Sequence, residues 1–405
     1  MWEHNLNSLN PGEFANLLKY SEDKIAAAAG KGKREERQIN KLSKSLHPKR
    51  QELRVAEVIE HGENCKSYIL VPDAERGTAG CAYFSAGQYL SVFVDIDGNI
   101  HSRPYSIVSS PKESLSGKYQ ITVKAEENGL VSSYIIDHWR EGTAVEVSDP
   151  MGTFTYEPLR DASHIIGIAG GSGITPFMSL GKAIADGDED CSLTLFYGSR
   201  TCRHILFKAE LDKLQARCPR IRVIHVLSDE HVDGYLYGYI SAHLIRACVQ
   251  ETPYSVFVCG PRPMVSFMDE EIEKLGLERK YIRHELHGEL LHPTEEGDYP
   301  QNVPETVKIT VLCRGVTTDI FGSSADSILR TLEKSGIRAP SRCRSGECGF
   351  CRTRLVSGTV YIPKSMDMRR KADNRYGYIH PCCTYPLSAL VVEIAADNEF
   401  HERKE

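Results

Sequence analysis

The chain has 405 residues, of which 41% are hydrophobic and 26% are charged, a composition that excludes a disordered or fibrous protein. This length predicts two to four domains. The formal net charge of −6 argues against nucleic acid as the main partner. Apolar runs such as Ile165–Ala169 are too short to cross a bilayer, and Met1-Trp2-Glu3-His4 does not resemble an export signal. We therefore expect a cytoplasmic protein without a membrane span.

Residues 1–50 are predicted to form a helical, basic N-terminal arm. Asn10-Pro11-Gly12-Glu13 is typical of a helix start, and Ile25–Ala29 continues a helical composition. The stretch from Lys24 to Arg50 holds nine Lys/Arg residues against two acidic ones. Such a stretch is usually a solvated surface, and the alternative is a docking arm for an acidic partner protein.

Residues 51–155 are predicted to form a small antiparallel β-barrel. Short β-like runs follow one another there, separated by turn signals such as Gly87 and Asp97-Gly98. The runs are Val55–Ile59, Ser67–Val71, Tyr89–Val94, Tyr105–Val108, Tyr119–Lys124 and Val145–Val147.

The pattern of predicted secondary structure changes at residues 156–287, where strand-like and helical stretches alternate. This alternation predicts a doubly wound α/β domain with a parallel sheet. One helix is predicted at Ile205–Leu214, and the strands are predicted at Ile165–Ala169, Leu193–Tyr197, Arg222–Val226 and Val256–Cys259.

A segment rich in Pro, Gly and acidic residues, 288–305, is predicted to be an interdomain linker. Residues 306–405 then form a third, smaller domain. It is predicted to begin with a strand at Val307–Leu312 and to contain a helix near Ala325–Lys334.

Five of the thirteen cysteines crowd into one short region of this last domain, residues 343–383. The spacing of Cys343, Cys348 and Cys351 is C-x4-C-x2-C, the plant-type [2Fe–2S] pattern. Thiolates stabilise iron in both oxidation states, and Gly346 and Gly349 allow a loop to turn tightly around a cluster. A structural zinc site is the alternative, but it usually needs two C-x2-C hooks and one is present here. Residues 382 and 383 are both Cys, so either can supply the fourth ligand.

With these motifs the chain resembles a known family over residues 50–396. Residues 307–395 resemble a plant-type ferredoxin, and the preceding part resembles the ferredoxin–NADP⁺ reductase superfamily. The whole is similar to flavin–nicotinamide–ferredoxin reductases that serve oxygenases and the hybrid-cluster protein. The resemblance implies a β-barrel flavin domain, a doubly wound α/β nucleotide domain and a β-grasp [2Fe–2S] domain. The family pattern from Gly377 to Pro386 implies that Cys382 is the fourth ligand.

Two segments of the barrel carry the predicted flavin site. In Arg103-Pro104-Tyr105-Ser106, the arginine can pair with a phosphate, the tyrosine ring can lie on the isoalloxazine, and the serine can bind the flavin edge. Gly129-Leu130-Val131-Ser132 precedes a predicted helix, Ser133–Arg140, whose free amides can hold a pyrophosphate. The resemblance implies FAD rather than FMN, with Val123 as a further binding residue. A strand tyrosine can equally be a core residue.

Two turns of the α/β domain carry the predicted nicotinamide site. In the first turn, Gly171 and Gly173 let the backbone approach a diphosphate, Thr175 is predicted as the helix N-cap, and Pro176 is predicted as the first helical residue. The second turn is Cys259-Gly260-Pro261, followed by Met264. The resemblance implies that this turn lies against the nicotinamide, although each turn can also be a tight turn without a ligand.

Glu285 ends the reductase part, and the resemblance implies that it lies beside the flavin. Leu286 departs from the aromatic residue that is usual in the family near this point. For the choice of nucleotide, Ser199 and Arg200 offer a hydroxyl and a cation with no acid in the same segment. This favours NADPH over NADH, whereas a solvated Arg200 would favour neither.

The predicted function is that of an NAD(P)H-dependent oxidoreductase that passes electrons through FAD to a [2Fe–2S] cluster. A flavin is needed because nicotinamide gives two electrons together, whereas the cluster accepts one at a time. The residues expected to act in hydride transfer are Tyr105, Ser106, Cys259 and Glu285. The acceptor would be a separate terminal oxygenase or hybrid-cluster-type protein. The alternatives are reduction of NAD(P)⁺ by a low-potential donor, and a regulatory or scaffold subunit without redox activity.

Overall fold

The computed structural model describes residues 19–20, 23–24, 37–62, 64–127, 129–249, 253–286 and 288–394. The chain divides into two units, Met1–Leu46 and His47–Glu405. In the first unit the structure describes one complete helix, α1 (Gln38–Leu46). The helical stretches predicted near Asn10 and at Ile25–Ala29 lie outside the described residues.

The flavin-type domain is an antiparallel barrel. Its strands are β1 (Arg50–Glu60), β2 (Cys65–Pro72), β3 (Tyr89–Ile96), β4 (Asn99–Ser106), β5 (Tyr119–Lys124) and β6 (Ala144–Ser148), in the sheet order β4-β3-β6-β1-β2-β5. A bridge between Ile107 and Ile121 joins the two edge strands, which closes the barrel around an apolar core. Two helices accompany it, α2 (Pro111–Leu115) and α3 (Leu130–His138).

The second domain has a fully parallel sheet with helices on both faces. Its strands are β7 (His164–Gly170), β8 (Ser192–Ser199), β9 (Ile221–Leu227), β10 (Leu236–Tyr237), β11 (Ser255–Cys259) and β12 (Ile282–Glu285), in the order β10-β9-β8-β7-β11-β12. The helices are α4 (Thr175–Asp186), α5 (Lys208–Arg217), α6 (Ala242–Cys248) and α7 (Arg262–Leu275). Phe177 and Leu211 belong to one core cluster, whereas Ile245 and Met268 belong to another. The predicted doubly wound arrangement is confirmed.

The third domain is a mixed sheet packed on a short helix. Its strands are β13 (Thr306–Cys313), β14 (Val316–Ser323), β15 (Thr353–Ser357), β16 (Val360–Tyr361), β17 (Tyr378–Ile379), β18 (Tyr385–Pro386) and β19 (Leu390–Glu393), and its helices are α8 (Ile328–Lys334) and α9 (Lys371–Arg375). The main sheet has the order β14-β13-β19-β15-β17, and β16 pairs with β18. The Ser327 side chain caps α8 by accepting a hydrogen bond from the Arg330 amide at 3.1 Å.

Three predicted helix starts were wrong by three residues. The helix predicted at Ser133 begins at Leu130, because Gly129 is extended and serves as the N-cap. The helix predicted at Ile205 begins at Lys208, because Phe207 has a left-handed φ of 56° and ends the preceding turn. The helix predicted near Ala325 begins at Ile328, because the extended Ser327 serves as its N-cap.

The predicted linker is packed against the third domain. The Tyr385 hydroxyl donates to the Leu290 carbonyl at 2.6 Å, and the Tyr361 hydroxyl donates to Asp298 at 2.5 Å. These contacts restrict the position of the third domain relative to the chain that leads into it. Among the described residues, no helix is long and apolar enough to cross a membrane.

Candidate active site

A cavity of about 490 Å³ lies where the three domains meet. The barrel contributes the Arg103–Ser106 strand end and the start of α3, and the α/β domain contributes its two turns. The third domain closes one end with Arg330 and Lys334 of α8. The predicted residues that line the cavity are Arg103, Pro104, Tyr105, Ser106, Gly129, Val131, Ser132, Gly173, Thr175, Cys259, Gly260, Pro261 and Glu285.

The remaining predicted flavin- and nucleotide-binding residues are not among those that line the cavity. Val123 is fully buried in the barrel core, and Pro176 is buried in α4. Met264 packs against Gly170, whereas Ser199 and Arg200 lie at and just beyond the end of β8. For Val123 and Pro176 these positions favour a packing role over direct contact with a cofactor.

The start of α3 is built tightly around Gly129. A Cβ atom on this residue would lie 2.5 Å from the Ser132 Oγ, so a side chain would collide there. The Ser132 hydroxyl also accepts a hydrogen bond from the Glu126 amide at 3.1 Å. The first turn of α3 lines the cavity and its N-cap residue has no side chain, which fits a flavin pyrophosphate held by the free amides of that turn.

The glycine-rich turn after β7 differs from its prediction in one detail. Thr175 is already helical, and its hydroxyl donates to the Ser172 carbonyl at 3.0 Å instead of accepting from a helix amide. The reason is that a 3-10 turn, Gly171–Ile174, leads directly into α4. Gly171 has a left-handed φ of 54° with open space where a side chain would project, which fits a diphosphate approaching the backbone.

The two turns of the α/β domain are in close contact. A Cβ atom on Gly173 would lie 2.2 Å from the Cys259 carbonyl oxygen, so this position requires glycine. Cys259 and Glu285 are paired across β11 and β12, which brings both side chains to the cavity. Burial, reinforced by the Glu285 carboxylate, raises the pKa of the Cys259 thiol well above its usual range. Cys259 is therefore a neutral thiol at neutral pH.

The four predicted cluster ligands lie in two pairs. The Sγ atoms of Cys351 and Cys382 are 3.4 Å apart, and the Cys343 and Cys348 thiols are hydrogen-bonded to each other. Each iron of a [2Fe–2S] cluster takes two protein thiolates, so two separate pairs fit this cluster better than a tetrahedral zinc ion. In the described part of the chain, no three His, Cys, Asp or Glu side chains converge on one metal position.

The loop around these cysteines is tight. Gly346 has a φ of 87°, and a Cβ atom on it would lie 2.6 Å from the Met366 carbonyl oxygen. The Cys383 thiol is fully buried and points to the His380 carbonyl at 3.4 Å. Cys382 as the fourth ligand stays a prediction, and its contact with Cys351 favours it over Cys383.

An ion-pair network that the sequence analysis missed joins the cluster loop to the barrel. Arg344, directly after Cys343, is fully buried and donates to both carboxylate oxygens of Glu333 on α8, at 2.6 and 3.0 Å. It also pairs with Glu289 of the predicted linker and lies 3.4 Å from the Ser102 hydroxyl of the barrel. A buried bidentate pair of this kind holds its two backbones in one relative position.

Glu333 extends this network to the flavin strand. Its carboxylate lies 3.5 Å from the guanidinium of Arg103 and 3.5 Å from His101. Burial alone would raise the pKa of Glu333, but Arg344, the His101 hydrogen bond and Arg103 together hold it well below its usual range. Burial and the neighbouring Arg344 lower the pKa of Arg103. The predicted phosphate-binding arginine and the cluster loop thus share one carboxylate.

A second pair supports the same junction on the other side of Cys343. Arg342 is buried, and its guanidinium lies 3.3 Å from the Asp149 carboxylate of the barrel. The first cluster ligand is therefore flanked by two buried arginines that both face the barrel. A charged residue on each side of a cluster cysteine was the sequence signal that could have indicated this junction.

Beside Arg200, a predicted nucleotide-binding residue, lies an acid that the sequence analysis also missed. Arg200 donates from Nε to the Asp229 carboxylate at 2.9 Å, and Ser228 donates to the same carboxylate at 2.6 Å. These two hydrogen bonds lower the pKa of Asp229. The Tyr197–Arg200 segment has no acid of its own, as the sequence analysis stated. The acid beside Arg200 follows β9, the neighbouring strand of the parallel sheet.

Three family models match the chain, one for each domain. They are an oxidoreductase FAD-binding domain over residues 63–156, an oxidoreductase NAD-binding domain over residues 168–270 and a 2Fe-2S iron-sulfur cluster binding domain over residues 313–387. The order along the chain is the order that the resemblance implied.

Known proteins with the same domains match nearly end to end. The ferredoxin reductase component of 3-ketosteroid-9-alpha-monooxygenase from Mycolicibacterium smegmatis is 30% identical over 353 residues, which cover 84% of this chain and 95% of the relative. The glycine betaine monooxygenase reductase subunit of Chromohalobacter salexigens is 24% identical over 360 residues, covering 85% and 95%. The solved structure of phthalate dioxygenase reductase has a TM-score of 0.62 at 26% identity, covering 85% of this chain and 98% of that one.

These matches, together with the cavity and the paired cysteines, show an NAD(P)H oxidoreductase that transfers electrons through FAD to a [2Fe–2S] centre. The chain belongs to the ferredoxin–NADP⁺ reductase superfamily, in the family of oxygenase-type reductases that carry a C-terminal [2Fe–2S] ferredoxin domain.

Proposed function

We propose that this chain is the reductase component of an oxygenase system, with NADH as its electron donor and a separate terminal component as its acceptor. The names of the matched relatives, which are reductase components of monooxygenases, support this role. The observation that carries it is the single cavity lined by all three domains, with the cluster loop held against the barrel by Arg344 and Glu333. Electron donor, flavin and cluster would thereby be in contact within one chain.

The side chains in this proposal bind and orient, and none acts as a general acid or base. Arg103 and the first turn of α3 would hold the flavin phosphates, while Tyr105 and Ser106 would contact the isoalloxazine. Cys259, a neutral thiol beside Glu285, adds no charge where the nicotinamide ring stacks. Bound FAD supplies the conversion from a two-electron donor to a one-electron acceptor.

The preference for NADH rests on the Arg200–Asp229 pair. A free arginine at the end of β8 would attract the 2′-phosphate of NADPH. Here its charge is matched by Asp229, whose carboxylate would repel that phosphate and can accept hydrogen bonds from the ribose hydroxyls of NADH. The structure therefore favours the donor opposite to the one that the Ser199-Arg200 segment alone suggested.

The Asp229→Asn variant tests this preference. We expect the ratio of kcat/KM for NADH to that for NADPH to fall by about tenfold, which corresponds to about 1.4 kcal/mol. Asp233→Asn is the matched control, since it removes an exposed acid from the same segment. An unchanged ratio in Asp229→Asn, or a wild type that prefers NADPH, would refute the assignment.

An anaerobic titration of the holoenzyme with NADH tests the electron path. We expect bleaching of the flavin absorbance together with the electron paramagnetic resonance signal of a reduced [2Fe–2S] cluster. In Cys343→Ser the flavin should still bleach, while the cluster signal and the reduction of a protein acceptor are lost. A wild type in which flavin bleaches without a cluster signal would reduce the proposal to a simple flavin reductase. A wild type in which neither centre is reduced would indicate the scaffold alternative.

A cytoplasmic location is part of the same proposal. None of the thirteen cysteines forms a disulfide, including buried residues of the other two domains such as Cys65 and Cys191. Unbridged cysteines in this number are usual in a reducing compartment. Fractionation of the native host should place the protein with cytoplasmic markers, and recovery in an exported fraction would contradict this location.

A further inference from the structure

A strongly basic segment lies beside the cluster loop on the surface of the third domain. Residues 364–376 carry five Lys/Arg residues against two Asp residues, in a chain whose net charge is −6. Both acids are used within the domain: Asp367 pairs with Arg369 at 2.7 Å, and Asp373 pairs with Arg352 at 2.6 Å. The positive charge that is left comes from four exposed side chains, Lys364, Arg370, Lys371 and Arg375, here called the basic surface.

The side chains of the basic surface have no carboxylate partner among the residues that the structure describes. Two large, exposed hydrophobic side chains belong to the same segment, Met368 at 49% and Tyr376 at 64% exposure. Arginine, tyrosine and methionine are enriched at protein interfaces, whereas a purely solvated surface would not need the apolar pair.

This segment is fixed to the cluster loop at several points. Met366 is buried among the thiols of Cys351, Cys382 and Cys383. The Arg369 guanidinium donates to the Tyr378 carbonyl at 3.3 Å. Because Met366 and Arg369 of the segment are held by these contacts, the exposed charges next to them have a defined position close to the predicted cluster ligands.

The helix α9 is held to the same loop by Arg352, the residue after the ligand Cys351. Its ion pair with the buried Asp373 and its stacking over the Tyr378 ring, at 3.8 Å, connect the base of α9 to the cysteine motif. Arg370 is the N-cap of this helix, and Lys371 and Arg375 are its first and last residues.

The cluster loop therefore makes two different sets of contacts. Arg342 and Arg344, on either side of Cys343, face the barrel and the flavin strand. Gly346 and Cys351 instead contact the basic segment through Met366 and its neighbours. The barrel covers the first side, so an acceptor protein has to approach the cluster from another direction, and the basic segment borders that approach.

We propose that the basic surface is the docking site for the electron acceptor, and that the acceptor presents an acidic face around its own redox centre. This inference rests on the proposed function. It adds the surface from which electrons leave the cluster and the charge of the acceptor's docking face. A weak electron-transfer complex needs only a small contact area, in which opposite charges raise the association rate and fix the orientation. Such steering is screened by salt.

Cytochrome c serves as the probe, in its native basic form and in a succinylated, acidic form. The holoenzyme is supplied with NADH at low ionic strength, and reduction of each form is followed optically. We expect wild type to reduce the acidic form at least about tenfold faster than the basic form, with the difference lost as salt rises. The Arg370→Glu/Lys371→Glu variant should reverse the preference.

The control Lys112→Glu/Lys118→Glu makes the same change of net charge at exposed barrel positions and leaves the cluster surroundings intact. It should keep the wild-type preference, and a reversal in this control would show that net charge alone decides. The N-terminal arm is retained in every variant, so an effect of the arm would appear equally in all of them.

Equal rates for the two forms in wild type, or an Arg370→Glu/Lys371→Glu variant that behaves as wild type, would overturn the docking site. In both variants the anaerobic titration with NADH should still give a bleached flavin and a reduced cluster. If wild type gives no reduced cluster, the proposed function itself fails. The two failures are therefore distinguishable.

Discussion

Two arginine–carboxylate pairs, one in the third domain and one in the α/β domain, differ mainly in burial. Arg344 and Glu333 have side chains with 0% and 5% exposure, whereas Arg200 and Asp229 have 77% and 42%. Water screens the exposed pair, so it adds little to stability and acts mainly on the charge of an approaching ligand. The buried pair has lost its hydration, so removing one partner leaves an uncompensated charge. The exposed Arg200–Asp229 pair therefore acts on ligand selection. The buried Arg344–Glu333 pair belongs to the third domain, and Glu333 connects it to Arg103 and His101 of the barrel.

The largest effect is expected for Arg344→Met. It leaves Glu333 and Glu289 buried without their shared cation, and breaking such a pair costs about 3–5 kcal/mol of unfolding free energy. Chemical denaturation of the holoenzyme measures this loss. Reduction of the flavin by NADH should stay near wild type in stopped-flow, while transfer to the cluster slows.

The exposed Arg354, which lies 3.7 Å from Glu393 in the same domain, supplies the matched control. Arg354→Met should leave both stability and transfer to the cluster unchanged. If Arg344→Met resembled this control in both measurements, the buried network would not couple the two domains.

Glu333→Gln is expected to change the pH dependence of the unfolding free energy, because it removes the charge of this carboxylate. The folded pKa of Glu333 lies below its ordinary value of 4.5, so its contribution to stability is complete above that pH and declines as pH falls towards the folded pKa. The difference in unfolding free energy between wild type and Glu333→Gln should be constant from pH 6 to 8, on the order of the range used above, and shrink below about 4.5. A difference that grew on acidification would have the wrong sign for a carboxylate held ionised.

Asp149→Asn is expected to have an intermediate effect. Arg342, its partner, is buried, but the Asp149 side chain is 29% exposed, so part of its charge is already solvated. Loss of this ion-pair partner of a buried arginine should cost about 1–3 kcal/mol of unfolding free energy, measured in denaturant. A loss of stability as large as that in Arg344→Met would mean that burial does not determine how much these ion pairs stabilise the fold.

Asp229→Asn is expected to have the smallest effect on stability. The thermal midpoint of the holoenzyme should not change measurably, although the nucleotide preference shifts. A clear drop in the midpoint would show that the Arg200–Asp229 pair is structural, contrary to the comparison drawn here.

Sequence reasoning recovered what local patterns encode. The alternation of strands and helices predicted the α/β domain, and the C-x4-C-x2-C spacing placed three cysteines in one loop. The turn residues Gly173 and Cys259 were both selected, and they are in backbone contact. These predictions depend on residues that are close in the chain or on a recurrent motif.

The missed features depend on residues that are distant in the chain. Arg344 meets Ser102 across 242 residues and Glu289 across 55, and Asp229 follows a different strand from Arg200. No periodicity links such residues, because their meeting depends on how the domains pack and on the order of the strands. Thr175 was misassigned for a local reason, since a 3-10 turn before a helix satisfies amides that an N-cap would otherwise serve.

The central claim is that flavin and cluster are held in one arrangement within a single chain. The most direct test mixes wild-type holoenzyme anaerobically with NADH and follows cluster reduction by freeze-quench electron paramagnetic resonance at several protein concentrations. The account predicts a rate of cluster reduction that is independent of protein concentration and follows flavin reduction within one turnover. A rate that rises in proportion to protein concentration would show transfer between molecules and would contradict the account.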